Sequence, residues 1–208
     1  MNVSWLCGGT LISERYVMTA AHCALLSSKK PVVVRLGELD LSTNDDDVEP
    51  VDYAIESVEL HPKFVVTTRY HDIALIRLAK PVKFTTTICP ACLYNVNSRG
   101  RAVSSTGVDN NELTDRILTN GEEIGPRIND EVDLRERILI VSGWGTTEFL
   151  GDSSPILQKA VIKPVAIEEC NVTLSRAAGR TNPLMPQGIN ADAMICAGDR
   201  RGNKDTCQ

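Results

Sequence analysis

Apolar residues along this chain come in short runs broken by turn-forming residues. Val32 to Leu36, Tyr53 to Leu60, Ile73 to Leu78, Ile138 to Ser142 and Leu157 to Pro164 are rich in β-branched side chains, with Gly, Pro, Asn and Asp between them. Branching at Cβ suits a pleated surface, and most of the runs are too short for a helix. Their spacing predicts antiparallel strands in a barrel or sandwich, an all-β fold class. Helical signals are slight. Ala20 to Leu25 suffices for one turn, and Ala166 to Arg176 forms a short amphipathic pattern opened by Ile167-Glu168-Glu169.

Residues 97–137 break the pattern. Thirteen charged residues between Asp109 and Arg137, with few aliphatics and no period, predict an exposed or disordered polar insertion. Residues 97–137 thus stand between two strand-bearing stretches, 1–96 and 138–208.

Composition narrows the class. At 208 residues and 42% hydrophobic, the chain is long enough to bury a core. Its net charge of -5, with dispersed basic residues, predicts neither a nucleic-acid partner nor an anionic membrane surface. No apolar run reaches the roughly 18 residues of a spanning helix. The seven cysteines, Cys7, Cys23, Cys89, Cys92, Cys170, Cys196 and Cys207, lack the paired CxxC spacing of a zinc site, so disulfides in an oxidising, extracellular compartment are expected. Two sequons, Asn2-Val3-Ser4 and Asn171-Val172-Thr173, fit secretion. The first twenty residues contain no signal-peptide core, which predicts a chain that starts inside a domain.

A general base of the commonest type must be His22, His61 or His71, the three histidines present. His22 lies in Met18-Thr19-Ala20-Ala21-His22-Cys23, where small residues after an apolar run let an imidazole emerge at a strand end. Taken alone, a histidine beside a cysteine is more often structural.

The surrounding blocks carry more. Trp5-Leu6-Cys7-Gly8-Gly9-Thr10-Leu11-Ile12-Ser13 followed by Thr19-Ala20-Ala21-His22-Cys23, then Tyr70-His71-Asp72-Ile73-Ala74-Leu75, Val141-Ser142-Gly143-Trp144-Gly145, Met194-Ile195-Cys196-Ala197-Gly198 and Lys204-Asp205-Thr206-Cys207-Gln208 occur in order. Together they resemble the chymotrypsin and trypsin family of serine endopeptidases over most of the chain outside the insertion. The resemblance implies a double antiparallel β-barrel whose second barrel is incomplete here.

It also implies roles. A serine hydroxyl is a weak nucleophile until a base takes its proton, which would be the task of His22. Asp72 would hold the other ring nitrogen and stabilise the imidazolium. Taken alone, Asp72 could also be a turn cap before Ile73 to Leu78. Asp205 matches the family position at the floor of the pocket for the substrate side chain before the scissile bond. A carboxylate there implies protein substrates cleaved after Arg or Lys. Cys7 with Cys23 and Cys170 with Cys196 match family disulfides. Cys92, in Pro90-Ala91-Cys92-Leu93, resembles the position that ties the protease domain to an upstream regulatory domain, while Cys89 has no family role. The same block, with Gly145-Thr146-Thr147-Glu148, Ile156-Leu157-Gln158-Lys159-Ala160 and Met185-Pro186-Gln187-Gly188-Ile189, is similar to arthropod clip-domain proteases of extracellular activation cascades.

The family continues after Cys-Gln with G-D-S-G-G-P, whereas these residues stop at Gln208. The resemblance therefore predicts that this stretch lacks the nucleophile, the oxyanion hole and the activating N-terminus, and is inactive by itself. The alternative is a non-catalytic homologue that serves as a regulatory binding cofactor. No cofactor is implied. A structural calcium ion at the acidic loop from Glu38 to Glu49 is an expectation set against a merely solvated loop.

Overall fold

The computed structural model describes residues 4–25, 30–43, 45, 47–93, 138–147, 151–177 and 182–199. The chain divides into two units, one of residues 1–90 with 135–208 and the other of residues 91–134. The polar stretch 97–137 lies outside the described residues, as do Asp205 and Cys207.

Five strands form the larger sheet: β1 (Thr10–Leu11), β2 (Tyr16–Thr19), β3 (Val33–Leu36), β4 (Val51–Leu60) and β5 (Ala74–Leu78). They pair antiparallel in the order β1-β2-β5-β4-β3. β5 shows the period of two that a half-buried strand requires, with Ala74, Ile76 and Leu78 buried and Leu75 and Arg77 less so. The inward faces meet in one cluster of Leu11, Val17, Ile76, Leu78, Val82 and Ile88, flanked by Val34, Leu36, Tyr53, Ile55 and Val58. A register shift between Ile55 and Ser57 marks a bulge that bends β4 over this core.

A smaller sheet joins β6 (Leu139–Gly143), β7 (Gln158–Pro164) and β8 (Ala197–Gly198), also antiparallel. Two helices complete the described structure, the single turn α1 (Ala21–Leu25) and α2 (Ile167–Ala177), which carries Glu168 and Glu169 in its first turn, where acids suit the helix dipole. The fold is thus mostly β, and the runs read as strands differ from the observed elements by two residues at most.

Segments beside the two sheets are joined by hydrogen bonds. Leu41 N–H donates to Pro155 O at 2.9 Å, Leu157 N–H donates to Leu39 O at 2.8 Å, and the Trp144 indole donates to Leu39 O at 3.2 Å. The same segment carries Glu38, 8% exposed despite its charge. Its carboxylate accepts from Leu39 N–H at 3.0 Å and from the Arg35 guanidinium at 3.3 Å, and Arg35 in turn grips Asp52 at 2.7 and 3.0 Å and stacks on Trp5.

Candidate active site

His22 and Asp72 are fifty residues apart in sequence and converge because of strand register. In the antiparallel β2–β5 pair, Thr19 lies opposite Ala74. His22 is three residues past the end of β2 and Asp72 two residues before the start of β5, so both overshoot the same end of adjacent strands. The chain then turns at once into α1, where Ala21 is fully buried and leaves the next side chain at the sheet rim. A disulfide between Cys23 and Cys7, sixteen residues apart, ties this turn back to the segment before β1. Thr19 Oγ1 adds a hydrogen bond to Gly8 O at 2.7 Å.

The carboxylate of Asp72 is used at both oxygens by the same residue. Oδ2 lies 2.6 Å from His22 Nδ1, and Oδ1 accepts from the His22 backbone N–H at 2.8 Å. The two bonds fix ring and backbone together. Because an ionised carboxylate only accepts, Nδ1 carries the proton facing Asp72, and in the neutral imidazole the lone pair then lies on Nε2. The side chains are 22% and 16% exposed, shielded enough for the pair to interact strongly and open enough for a reactant to reach the ring.

Burial by itself pushes the Asp72 carboxyl up. The hydrogen bonds from the His22 ring and backbone amide, with the attraction of His22 and of Arg69 at 3.7 Å, outweigh burial and hold it below the ordinary carboxylate range. Asp72 is therefore a stable anion, suited to orienting an imidazole and balancing its positive charge when it takes a proton.

Nε2 lies 3.5 Å from Cys23 Sγ. Cys7, His22 and Cys23 offer a cluster of atoms at metal-ligand spacing, but both sulfurs are spent in the disulfide and provide no thiolate. What the arrangement can do is accept a proton at Nε2 and stabilise the resulting cation. Among the described residues no hydroxyl hydrogen-bonds to the His22 ring.

Asp72 itself sits at a constrained turn. His71 has φ of 54°, in the left-handed region that non-glycine residues rarely enter. Ile73 N–H donates to His71 O at 2.8 Å, a three-residue turn with Asp72 at its apex, and His61 N–H donates to Ile73 O at 3.0 Å. The rings of His61 and His71 stack at 4.7 Å. Two of the three histidines are thus packing elements beside the site, and the third is the one that engages an acid.

The other residues singled out from sequence lie elsewhere. Cys170 and Cys196 form a disulfide that joins α2 to the segment before β8. Cys89 and Cys92 are free and exposed. In the acidic loop, Asp45, Asp47 and Glu49 are exposed, while Glu38 is engaged by Arg35. Tyr70 opens the block that holds Asp72, but neither it nor Arg69 carries a role readable from sequence, and Asn171 reads only as a sequon, because their partners are backbone groups or a charge brought up by the fold.

Comparison with known proteins gives one consistent result. The family model described as Trypsin matches residues 1–124 and 126–208. Serine protease snk of Drosophila melanogaster is 33% identical over 207 residues, covering 100% of this chain and 38% of snk. The proclotting enzyme of Tachypleus tridentatus is 33% identical over 208 residues, covering 97% of this chain and 44% of its own length. The crystal structure of the Drosophila Grass clip serine protease of the Toll pathway superposes with a TM-score of 0.60 at 28% identity, over 93% of this chain and 46% of Grass. The chain thus spans less than half the length of each of these relatives.

Proposed function

The chain belongs to the trypsin family of serine proteases, and from that premise we propose that it forms the base-and-acid part of an extracellular endopeptidase that cleaves proteins after Arg or Lys. The observation that carries the reading is the double hydrogen bond of Asp72 to His22, at 2.6 Å to the ring and 2.8 Å to the backbone. His22 Nε2 takes the proton of a serine hydroxyl as it attacks the scissile carbonyl, then returns it to the leaving amine. Asp72 keeps the imidazole in the required tautomer and offsets its charge. Asp205 pairs with the basic side chain of the substrate.

The proposal extends to setting. Arthropod relatives such as the proclotting enzyme and the clip protease Grass support a secreted protein acting in a proteolytic cascade, held to an upstream regulatory domain through Cys92. Among the described residues no helix is long and apolar enough to cross a membrane.

The test is labelling by a serine-directed fluorophosphonate together with hydrolysis of Arg- and Ala-based peptide amides. The protein is expected to label and to prefer the Arg substrate. Full-length protein that neither labels nor hydrolyses, yet binds cascade proteins, would replace the reading with that of a non-catalytic homologue. Hydrolysis without preference for Arg or Lys would remove the role given to Asp205.

A further inference from the structure

The acid of the pair stands on a strained turn, and the structure shows what holds that turn. Tyr70, two residues before Asp72, uses its hydroxyl twice. It donates to Gly188 O at 2.8 Å and accepts from Gln187 N–H at 2.8 Å. Next to it, Arg69 N–H donates to Leu184 O at 2.8 Å. Three hydrogen bonds therefore fasten the segment before Asp72 to the loop Leu184–Gly188, more than a hundred residues away in sequence.

That loop is itself fixed from its far side. Asn171 Oδ1, on α2, accepts from Ile189 N–H at 2.8 Å. Gly188 has φ of +74°, and a Cβ there would come within 2.8 Å of the same Asn171 oxygen, so glycine is required both for the turn and for the close approach. The Cys170–Cys196 disulfide, one residue before Asn171, binds α2 to the chain leading into β8. An open cavity of about 580 Å³ borders the junction, lined by Tyr70 and His71 on one side and Pro186, Gln187 and Gly188 on the other.

A residue with φ of 54° persists where its surroundings over-determine it. On one side of His71 this is achieved by the Ile73 and His61 hydrogen bonds, and on the other by the Tyr70 and Arg69 contacts. We infer that Tyr70 is a positioning residue: its hydroxyl, held by the Gln187–Gly188 backbone, which Asn171 braces from α2, keeps Asp72 in register with His22. The inference rests on the base-and-acid reading above and names how the second half of the chain supports a site built wholly on the first.

The experiment uses residues 1–208 with ¹⁵N-labelled histidine. A short N–H to carboxylate hydrogen bond places the His22 Nδ1 proton at low field in slow exchange, and Asp72→Asn should remove that signal. Tyr70→Phe keeps the ring and deletes both hydroxyl bonds, so the His22 ring proton should exchange about tenfold faster while amides of β2 and β5 keep their protection. Asn171→Ala acts on the same clamp from the other side and should change the ring proton in the same direction. It serves as the second variant if Tyr70→Phe fails to fold.

An unchanged exchange rate in the folded Tyr70 variant would overturn the inference, as would faster exchange spread equally over β2, β5 and the ring, which marks general loosening. If Asp72→Asn leaves the low-field proton in place, the base-and-acid reading itself fails. If only Asp72→Asn removes it and neither clamp variant alters it, the reading stands and the clamp falls.

Discussion

The two sheets of this chain are built to different standards of packing. Of the buried apolar residues among those described, Leu11, Val17, Ala21, Ala74, Ile76, Leu78, Val82 and Ile88 belong to the first ninety residues, and Ile162 alone belongs to the β6–β8 sheet. On that sheet Ile140 and Val161 face each other across the strand pair while 64% and 44% exposed. The proposed base and acid both stand at the rim of the well-packed sheet. The smaller sheet and its neighbours contribute a disulfide, a helix and the loop that grips Tyr70. The difference teaches that a site of this kind needs a rigid register more than it needs two equal cores: one sheet sets where the groups lie, and the other holds a loop in place.

The contrast can be broken at several levels. The largest effect belongs to the site. In full-length protein, Asp72→Asn should lower kcat for an Arg amide on the order of 10⁴-fold, the magnitude characteristic of this family's triad acid and adopted from it. A loss below tenfold would show that the carboxylate does not orient the base.

Packing comes next. Leu78 is fully buried in the large cluster, so Leu78→Ala should cost about 3 kcal/mol in chemical denaturation. Ile162→Ala should cost nearer 2 kcal/mol, because a site with few buried neighbours collapses around the loss. Equal losses, or the reverse order, would erase the difference between the sheets.

The disulfides sharpen the comparison at similar cost. Replacing Cys7 and Cys23 by serine opens a connection of sixteen residues, and replacing Cys170 and Cys196 one of twenty-six, each worth about 3 kcal/mol from chain entropy. Their hydrogen-exchange patterns should differ. The first pair should expose α1 and β2, the second α2 and the loop at Gln187, with β5 still protected in the second case.

The smallest effect is set by pH. The Asp72 carboxyl is depressed in the folded state because hydrogen bonds from His22 and the charges of His22 and Arg69 overcome burial. A depressed acid stabilises the fold above its unfolded value and loses that contribution as pH falls through the folded value. Below about pH 4 the wild-type chain should therefore lose stability more steeply than Asp72→Asn, as followed by circular dichroism. Parallel curves would mean that the pair contributes nothing to the fold.

Much of this was legible without coordinates. Runs of β-branched residues announce β3, β4, β5, β6 and β7, since alternating or continuous apolar side chains have few other ways to be buried. Blocks such as Thr19-Ala20-Ala21-His22-Cys23 and His71-Asp72-Ile73-Ala74-Leu75 point to the candidate site only through their resemblance to the family, since either residue taken alone fits a structural role. The short strands β1 and β8, two residues each, carry too little pattern to be read on periodicity alone.

What the sequence by itself determined was the class of fold, from local periodicity, and the family blocks, whose resemblance put forward His22 and Asp72 as candidate base and acid. Only the tertiary structure decided that Thr19 lies opposite Ala74, that His22 presents both its ring and its amide to one carboxylate, and that Tyr70 is held by the backbone at Gln187 and Gly188. Register and backbone partners are relations between distant segments. Any residue offers an N–H or a C=O, so no residue type advertises that its main chain will hold a tyrosine 117 or 118 positions away.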